Sequence, residues 1–229
     1  MSLFRALQED FSTLEELAEA NKNPFPNAEL PEVLLLHGYF LGNRSLQGLA
    51  VHLQHSYEIA CIDYPSLRNL EKTTQRLLEE VKAITDLRGE AISLIGHSMG
   101  GLLATRIAQE YPSAIKKVIA LGTPFHGTYG AYTQYPLGLV VPIPSVKQMF
   151  PKSRFIKELQ ERGFPESVHF TSIYSSDDFV VMPWKSSILP QKSNTQNVQL
   201  SDVGHLGLLG KKVGLLIERY LNYDYPLIK

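Results

Sequence analysis

Residues 96–101 read Gly96-His97-Ser98-Met99-Gly100-Gly101 and lie where a strand is expected to become a helix. The preceding run 91–95 is short, apolar and rich in β-branched residues, which is typical of a buried strand. The following run 102–111 has apolar residues at helical spacing and ends before Pro112. A serine between two glycines at such a junction is expected in a tight turn, because a side chain at either glycine would collide across it.

The pattern Gly-x-Ser-x-Gly between a strand and a helix is that of a nucleophile elbow, in which a strained turn lifts the serine hydroxyl above the sheet. Ser98 is therefore the candidate nucleophile. The same short pattern also fits a tight loop or a phosphate-binding turn. The phosphate interpretation is disfavoured because Gly-x-Gly-x-x-Gly is absent and no Gly-Lys-Ser/Thr follows.

The composition is that of an ordinary globular protein, with 229 residues, 44% hydrophobic and 20% charged. This length suits one α/β domain over residues 1–229. A formal net charge of −1 excludes an electrostatic footprint for nucleic acid. The single cysteine, Cys61, cannot form an internal disulfide. No cluster of His, Asp and Cys has metal-ligand spacing, so neither a metal nor another cofactor is expected.

Residues 1–24 are predicted to contain an amphipathic helix, whose apolar stripe comprises Leu3, Leu7, Phe11, Leu14 and Ala18. Packing against the parent domain is the favoured role, with contact to a partner or a lipid interface as the alternative. The acidic composition of this segment does not match a secretion signal, so a cytoplasmic location is expected. Residues 127–146 carry no charge, but their prolines and glycines exclude a membrane-spanning helix and indicate an apolar loop.

The rest of the chain alternates strands with helices. Strands are predicted at residues 32–36, 58–63, 91–96, 117–121, 168–174 and 197–200. Helices are predicted at about 70–87, 102–111 and 208–221. This order predicts an α/β fold with a mostly parallel central sheet of about six strands, covered by helices on both faces. In such sheets ligands bind beyond the carboxyl ends of the strands.

A nucleophilic serine needs a base and a group that orients the base. His205 lies in a loop after the sixth predicted strand and is the candidate base, whereas His52 and His55 lie in a polar helical segment and are expected to be solvated. The acid should come from the loop after the fifth strand. Asp177 and Asp178 both occur there, and position alone does not distinguish them.

An oxyanion hole needs backbone N–H groups aimed at the carbonyl oxygen as it gains charge. Met99, directly after the serine, is expected to supply one donor from the helix N-terminus. The loop after the first strand is expected to supply the other from Tyr39, because Gly38 lets this loop approach the substrate. His37 is expected to bond the backbone of the same loop.

The assembled segments resemble bacterial lipases of the α/β-hydrolase superfamily, in particular the small Bacillus-type lipases. The resemblance rests on Leu36-His37-Gly38, on His97 to Gly101, on Ile173 to Met182 and on Val203 to Leu209. It implies an α/β-hydrolase fold and ester hydrolysis. It also selects Asp178 as the acid, because the family pattern places the catalytic aspartate before Phe-Val-Val-Met.

The chain departs from those small lipases in its N-terminal helix and in about 40 inserted residues, 124–163. The insertion begins at the carboxyl end of a strand, is largely apolar and contains a short helix at about 153–162. It is interpreted as a lid or acyl-binding wall, with a permanently packed loop as the alternative. Substrate contacts are expected from seven apolar residues near this edge: Phe40, Phe125, Tyr129, Tyr132, Leu139, Val180 and Leu206.

The sequence therefore predicts a serine hydrolase that acts on small acyl esters or lipids through Ser98, His205 and Asp178. The substrate is expected to be a small molecule, with transient contact to a lipid interface as an option and with the oligomeric state open. A thioesterase or an acyltransferase would use the same triad. A non-catalytic binding module or a peptidase is a further alternative, disfavoured by the complete triad and by the uncharged insertion.

Overall fold

A computed structural model describes residues 26–130 and 143–223, together with Arg5, Asp10 and Thr13, which are helical. The predicted N-terminal helix is thus described at three positions. Its proposed apolar stripe lies outside the described residues.

Six parallel strands form the central sheet, as the sequence predicts. They are β1 (Val33–Leu36), β2 (Ile59–Ile62), β3 (Ile92–His97), β4 (Ile115–Leu121), β5 (His169–Ser175) and β6 (Thr195–Leu200). Their order across the sheet is β2-β1-β3-β4-β5-β6. The order reverses at β1, so the carboxyl ends of β1 and β3 flank the crevice where open α/β sheets bind ligands.

Helices cover both faces of this sheet. They are α1 (Gln47–Leu53), α2 (Leu70–Arg88), α3 (Met99–Glu110), α4 (Pro144–Gln148), α5 (Arg154–Arg162) and α6 (Lys211–Asn222). Asn69 caps α2 by accepting from the N–H of Lys72, and Ser153 caps α5 in the same way through Ile156. The three predicted helices and the short helix of the insertion are confirmed.

Alternation along the strands divides the core into two layers. In β1, Leu34 and Leu36 face the layer formed with α2, α3, α4 and α5, whereas Val33 and Leu35 face α1 and α6. Both layers are built from side chains that exclude water almost completely. The all-apolar sequence of β1 follows from this double burial.

The expectation that His52 is solvated is wrong. Its side chain is only 19% exposed, and its Nε2 lies 3.7 Å from an Oε1 of Glu218 on α6. Gly214 of α6 makes this packing possible, because a Cβ there would collide with the imidazole ring. The sequence pattern of α1 alone does not reveal the partner helix.

The described part of the insertion after residue 143 belongs to the core. Met149, Phe155 and Leu159 are almost fully buried. Arg106 of α3, itself 5% exposed, pairs with Glu158 of α5 at 3.2 Å. Residues 143–163 are therefore packed as part of the core. The choice between a lid and a packed loop stays open, because residues 131–142 lie outside the described residues.

The chain that precedes residues 131–142 contacts the chain that follows them. The N–H of Thr128 donates to the carbonyl of Met149 at 2.8 Å. A Cβ at Gly127, where φ is +81°, would meet the backbone of Pro151.

Within the described chain, no helix is long and apolar enough to cross a bilayer.

Candidate active site

The turn between β3 and α3 holds Ser98 in an unusual backbone conformation, with φ 55° and ψ −119°. Such strain persists only where the surroundings enforce it. The enforcing contacts are the N–H of Ser98, which donates to the carbonyl of Leu121 at 2.7 Å, and the hydroxyl of Thr123, which donates to the carbonyl of Ser98 at 3.0 Å. These two hydrogen bonds therefore hold the backbone of Ser98 in this conformation.

The two elbow glycines are required by close approach. A Cβ at Gly96 would collide with the backbone of Gly100 and Gly101, and a Cβ at Gly100 would collide with the carbonyls of Leu36 and His37. The elbow consequently packs directly on the carboxyl end of β1.

The loops after β5 and β6 bring Asp178 and His205 together. The Nδ1 atom of His205 lies 2.6 Å from an Oδ2 of Asp178, and both side chains are almost fully buried. The other carboxylate oxygen, Oδ1, accepts from the N–H groups of Val180 and Val181, each at 2.8 Å. Asp178 thus has fixed partners on both oxygens, and it orients the imidazole through Nδ1.

These partners control the charge of Asp178. Burial alone would raise its pKa, but the imidazole of His205 and the N–H groups of Val181 and Val180 outweigh it, so the pKa lies below its usual value. The carboxylate is therefore ionised at neutral pH and is ready to stabilise an imidazolium at His205.

Asp177 has different hydrogen-bond partners from Asp178. Its Oδ2 accepts from the N–H of Asp202 at 2.9 Å, and its own N–H donates to Ser175 at 3.0 Å. It therefore joins the loop after β5 to the loop that carries His205, without a bond to the imidazole.

Two further histidines are buried beside the site and stay neutral. Burial lowers the pKa of His97 to about 3, and its Nε2 lies 3.1 Å from the carbonyl of His205, to which it donates. His37 bonds loop backbone as expected, since its Nδ1 donates to the carbonyl of Gly38 at 3.0 Å. Its Nε2 accepts from the N–H of Tyr64. Both rings support the neighbouring loops.

The loop after β1, residues 38–41, forms one wall of the cavity beside Ser98 and His205. Its turn is closed by the N–H of Leu41, which donates to the carbonyl of Gly38 at 3.3 Å. The N–H of Phe40 donates to Ser66 at 3.1 Å, and Phe40 has a positive φ of 58°. Across the cavity, Met99 begins α3, so its backbone N–H lies at the amino end of that helix.

These walls enclose a cavity of about 230 Å³ into which both Ser98 and His205 project. Apolar side chains make up most of its remaining lining. The lining residues are Gly38, Tyr39, Phe40, Leu41, His97, Ser98, Pro124, Thr128, Met149, Val180, Val181, His205 and Leu206.

The expected substrate contacts fall into three groups. Phe40, Val180 and Leu206 line the cavity. Phe125 and Tyr129 are not among its lining residues, and substrate contact at all five positions stays a prediction. Tyr132 and Leu139 lie outside the described residues.

Phe125 and Tyr129 lie away from the cavity for different reasons. Phe125 is 2% exposed and packs edge-on against Phe164, with 6.0 Å between ring centroids, so it belongs to the core. Tyr129 is 51% exposed and packs against Phe150 at 5.0 Å. The aromatic character of these positions does not specify whether a side chain is buried in the core or lies at the surface, nor which neighbours it contacts.

The sequence interpretation missed Thr128 and Met149 as lining residues. The hydroxyl of Thr128 accepts from the N–H groups of Gly130 and Met182, at 3.0 and 2.9 Å. It joins the loops after β4 and β5. Also missed was Asp10, whose Oδ1 accepts from the N–H of Gly207 at 2.6 Å. No local pattern signals a contact across 197 residues of sequence.

Comparisons with known proteins agree with this architecture. A family model described as alpha/beta hydrolase fold matches residues 31–132. Bacillus licheniformis lipase BlEst2 in its mature form superposes with a TM-score of 0.68 and 16% identity, over 87% of this chain and 95% of that chain. This chain has the α/β-hydrolase fold. An identity of 16% supports the shared fold alone, so a particular closeness to small Bacillus lipases is not confirmed.

Two relatives match part of the chain. A pimeloyl-[acyl-carrier protein] methyl ester esterase of Aeromonas hydrophila is 29% identical over 99 residues, 41% of this chain and 38% of the relative. A lysosomal thioesterase PPT2 homolog of Drosophila melanogaster is 28% identical over 126 residues, 52% of this chain and 43% of the relative. The chain thus spans about two fifths of the length of each.

Among the described residues, no group of three His, Cys, Asp or Glu side chains could hold a metal ion.

Proposed function

We propose that this α/β-hydrolase-fold protein is a serine carboxylic-ester hydrolase. The observation that carries the proposal is the buried 2.6 Å bond between His205 and Asp178 at a cavity that also contains Ser98. A strained serine, an imidazole and an ionised carboxylate are the three groups that acyl transfer through serine requires.

In the proposed reaction, His205 Nε2 takes the proton of Ser98 Oγ as that oxygen attacks the ester carbonyl carbon. The tetrahedral intermediate collapses when the carbon–oxygen bond to the alcohol breaks, and His205 returns the proton to the departing alkoxide. Water then loses a proton to His205 as it attacks the acyl-enzyme carbonyl carbon. The bond from that carbon to Ser98 Oγ breaks, the acid leaves, and His205 returns the proton to Ser98 Oγ. Asp178 remains ionised and stabilises the imidazolium in both halves.

The negative charge of each tetrahedral intermediate would be bound by the backbone N–H groups of Met99 and Tyr39. Met99 lies at the amino end of α3, where the helix dipole also favours an anion. Loss of one such donor typically costs about 2.7–4 kcal/mol of transition-state stabilisation.

The cavity supports a short apolar acyl group. Its volume of about 230 Å³ lies below the roughly 300 Å³ at which sites for drug-sized ligands begin. Phe40, Leu41 and Met149 supply apolar lining, and the uncharged rim offers no partner for a charged acyl terminus. We therefore expect p-nitrophenyl esters from acetyl to octanoyl to be better substrates than the palmitoyl ester.

The decisive variant is Ser98→Ala. It should lower kcat by about 10⁶-fold, by analogy with serine hydrolases that lose the nucleophile. A fluorophosphonate probe should label the wild-type protein at Ser98, as read by peptide mass spectrometry, and should leave the variant unlabelled.

One control makes this test specific. Ser176→Ala removes a part-buried hydroxyl close to Asp178 in sequence, which donates to Asp177 and to the carbonyl of Leu200, and should keep both labelling and turnover. Ester hydrolysis that persists in Ser98→Ala, or a probe adduct on another residue, would contradict the assignment.

A second candidate is thioester hydrolysis, favoured by the similarity to the Drosophila thioesterase. The same triad performs it with a thiolate as the leaving group. Acyl-thioester and acyl-ester substrates with the same acyl chain, compared by kcat/KM, distinguish the two. A thioester preference above about tenfold would favour this alternative.

A further inference from the structure

The loop that carries His205 is held by residues from the opposite end of the chain. Asp10 accepts from the N–H of Gly207 at 2.6 Å. Arg5 lies 3.7 Å from Asp202. Both contacts flank His205 within three residues, so the N-terminal segment reaches the part of the site where the position of the base is set.

Asp10 contacts this loop on both sides of His205. On the far side it binds the first N–H of the short 3₁₀ helix Gly207–Leu209, which has no capping side chain of its own. On the near side, a Cβ added at Gly204 would collide with the Asp10 carboxylate. The carboxylate therefore fills the space that a side chain at 204 would need.

The electrostatics fit this role. Burial raises the pKa of Asp10, the bond from Gly207 and the imidazole of His205 oppose the rise, and the negative charge of Asp178 adds to it. Among the described residues, Asp10 and Asp178 are thus two carboxylates that interact with the same imidazole. Asp178 binds the ring directly, whereas Asp10 binds the backbone that carries it.

We propose that Asp10 is a positioning residue for His205, which holds the 204–207 loop so that the imidazole stays aligned between Asp178 and Ser98. This inference rests on the proposed function. The substrate remains the acyl ester of the proposed function. Asp10 affects kcat by holding the 204–207 loop and does not contact the substrate.

Asp10→Ala should lower kcat by about 10- to 100-fold with little change in KM, since a small displacement of a catalytic group has this cost. Asp10→Asn should lose less, because its amide oxygen can still accept from Gly207 but without the charge that strengthens the bond. Glu29→Gln, which neutralises an exposed carboxylate, is the matched control and should retain full kcat.

Thermal stability provides a second readout, because the substitution that lowers kcat should leave the melting temperature unchanged or raise it. Because the folded state raises the pKa of Asp10, its ionisation opposes folding above that pKa, and the neutral Asp10→Asn variant should melt at the same or a higher temperature at pH 7. A lower Tm together with a proportional loss of activity would indicate a merely structural role and would overturn the proposal.

A double-mutant cycle tests the geometry. Gly204→Ala should lower kcat about tenfold in the wild-type background, because the new methyl group displaces the Asp10 carboxylate. In the Asp10→Ala background the same methyl group has room, so it should cost little further activity. Additive losses would overturn the proposal.

A direct view of the imidazole separates this inference from the proposed function. The ¹H NMR resonance of the His205 Nδ1–H proton should shift in Asp10→Ala and remain unchanged in Glu29→Gln. An unchanged resonance with full activity in Asp10→Ala overturns the role of Asp10 and leaves ester hydrolysis intact. Activity that survives Ser98→Ala would overturn the proposed function itself.

Discussion

The two halves of the site are positioned by different means. Ser98 is fixed by backbone strain, by glycines that allow close approach and by hydrogen bonds to main-chain atoms of adjoining strands. His205 is positioned by carboxylates from two distant parts of the chain, Asp178 and Asp10. The elbow depends on steric fit, whereas the base depends on charge.

This difference predicts where each half is vulnerable. Steric fit does not titrate, so changes at the elbow should mainly alter folding stability. Charge does titrate, so changes near His205 should alter turnover. Three substitutions separate the two cases.

The largest effect after loss of the nucleophile is expected for Asp178→Asn. An amide at this position favours the wrong imidazole tautomer, and kcat should fall by about 10⁴-fold. Asp177→Asn is the matched control, because the neighbouring carboxylate bonds only backbone and Ser176; its kcat should change by less than about tenfold. Stopped-flow ester hydrolysis measures both, and a reversed order would exchange the roles of the two aspartates.

The same carboxylate predicts an acid-side loss of stability. The folded state lowers the pKa of Asp178 below its usual value of 3.8, so its stabilisation is complete above that value and is lost as pH falls through the folded pKa. Thermal melts of the wild type should lose more stability below pH 4 than melts of Asp178→Asn. Parallel curves for the two proteins would contradict the stated pKa direction.

An intermediate effect is expected at the elbow for Gly96→Ala. Its Cβ would meet the backbone of Gly100, and overpacking of this kind costs about 1–3 kcal/mol of unfolding free energy. Gly42→Ala is the control, since φ at Gly42 is −125° and its added Cβ would make only ordinary contact. Urea denaturation should separate the two variants, and equal midpoints would argue against steric enforcement.

The smallest effect is expected for Thr123→Val. The substitution keeps the side-chain shape but removes the hydroxyl that donates to the carbonyl of Ser98, a bond worth about 0.5–1.5 kcal/mol. The carbonyl retains the N–H of Gly101 as a second partner at 3.1 Å. A loss of stability beyond that range, measured in the same urea assay, would show that the elbow needs the hydroxyl for more than this bond.

The sequence predicts the sheet well because burial on both faces leaves a strong local signal. The run around Leu34 and Leu35 is wholly apolar, and β1 lies within one residue of its expected start. The polar β6 starts two residues before its expected position, at Thr195, because its pairing with Phe170 is set by the neighbouring strand. The central strand β4 also starts two residues before its expected position, at Ile115, whereas the edge strand β2 lies within one residue of its expected bounds. Local composition thus predicts which strands exist better than it predicts where they begin.

The site is predictable only where its chemistry follows strand ends. Ser98, Asp178 and His205 each follow a predicted strand, and parallel strands bring their ends to one edge. Phe125 and Tyr129 also follow a strand, yet their side chains turn toward Phe164 and Phe150. Apolarity does not encode that direction, and the contribution of Asp10 depends on a tertiary contact without any sequence signature.

The hydrogen bond between Thr128 and Met149 has a consequence for protein engineering. It joins the chain that precedes residues 131–142 to the chain that follows them, at the cavity wall that Thr128 and Met149 share. Between such fixed points, each doubling of loop length costs only about 0.6 kcal/mol of closure entropy. This stretch is therefore suited to exchange as a cassette of varied length and composition, by which acyl selectivity could be selected from a library while the catalytic loops remain untouched.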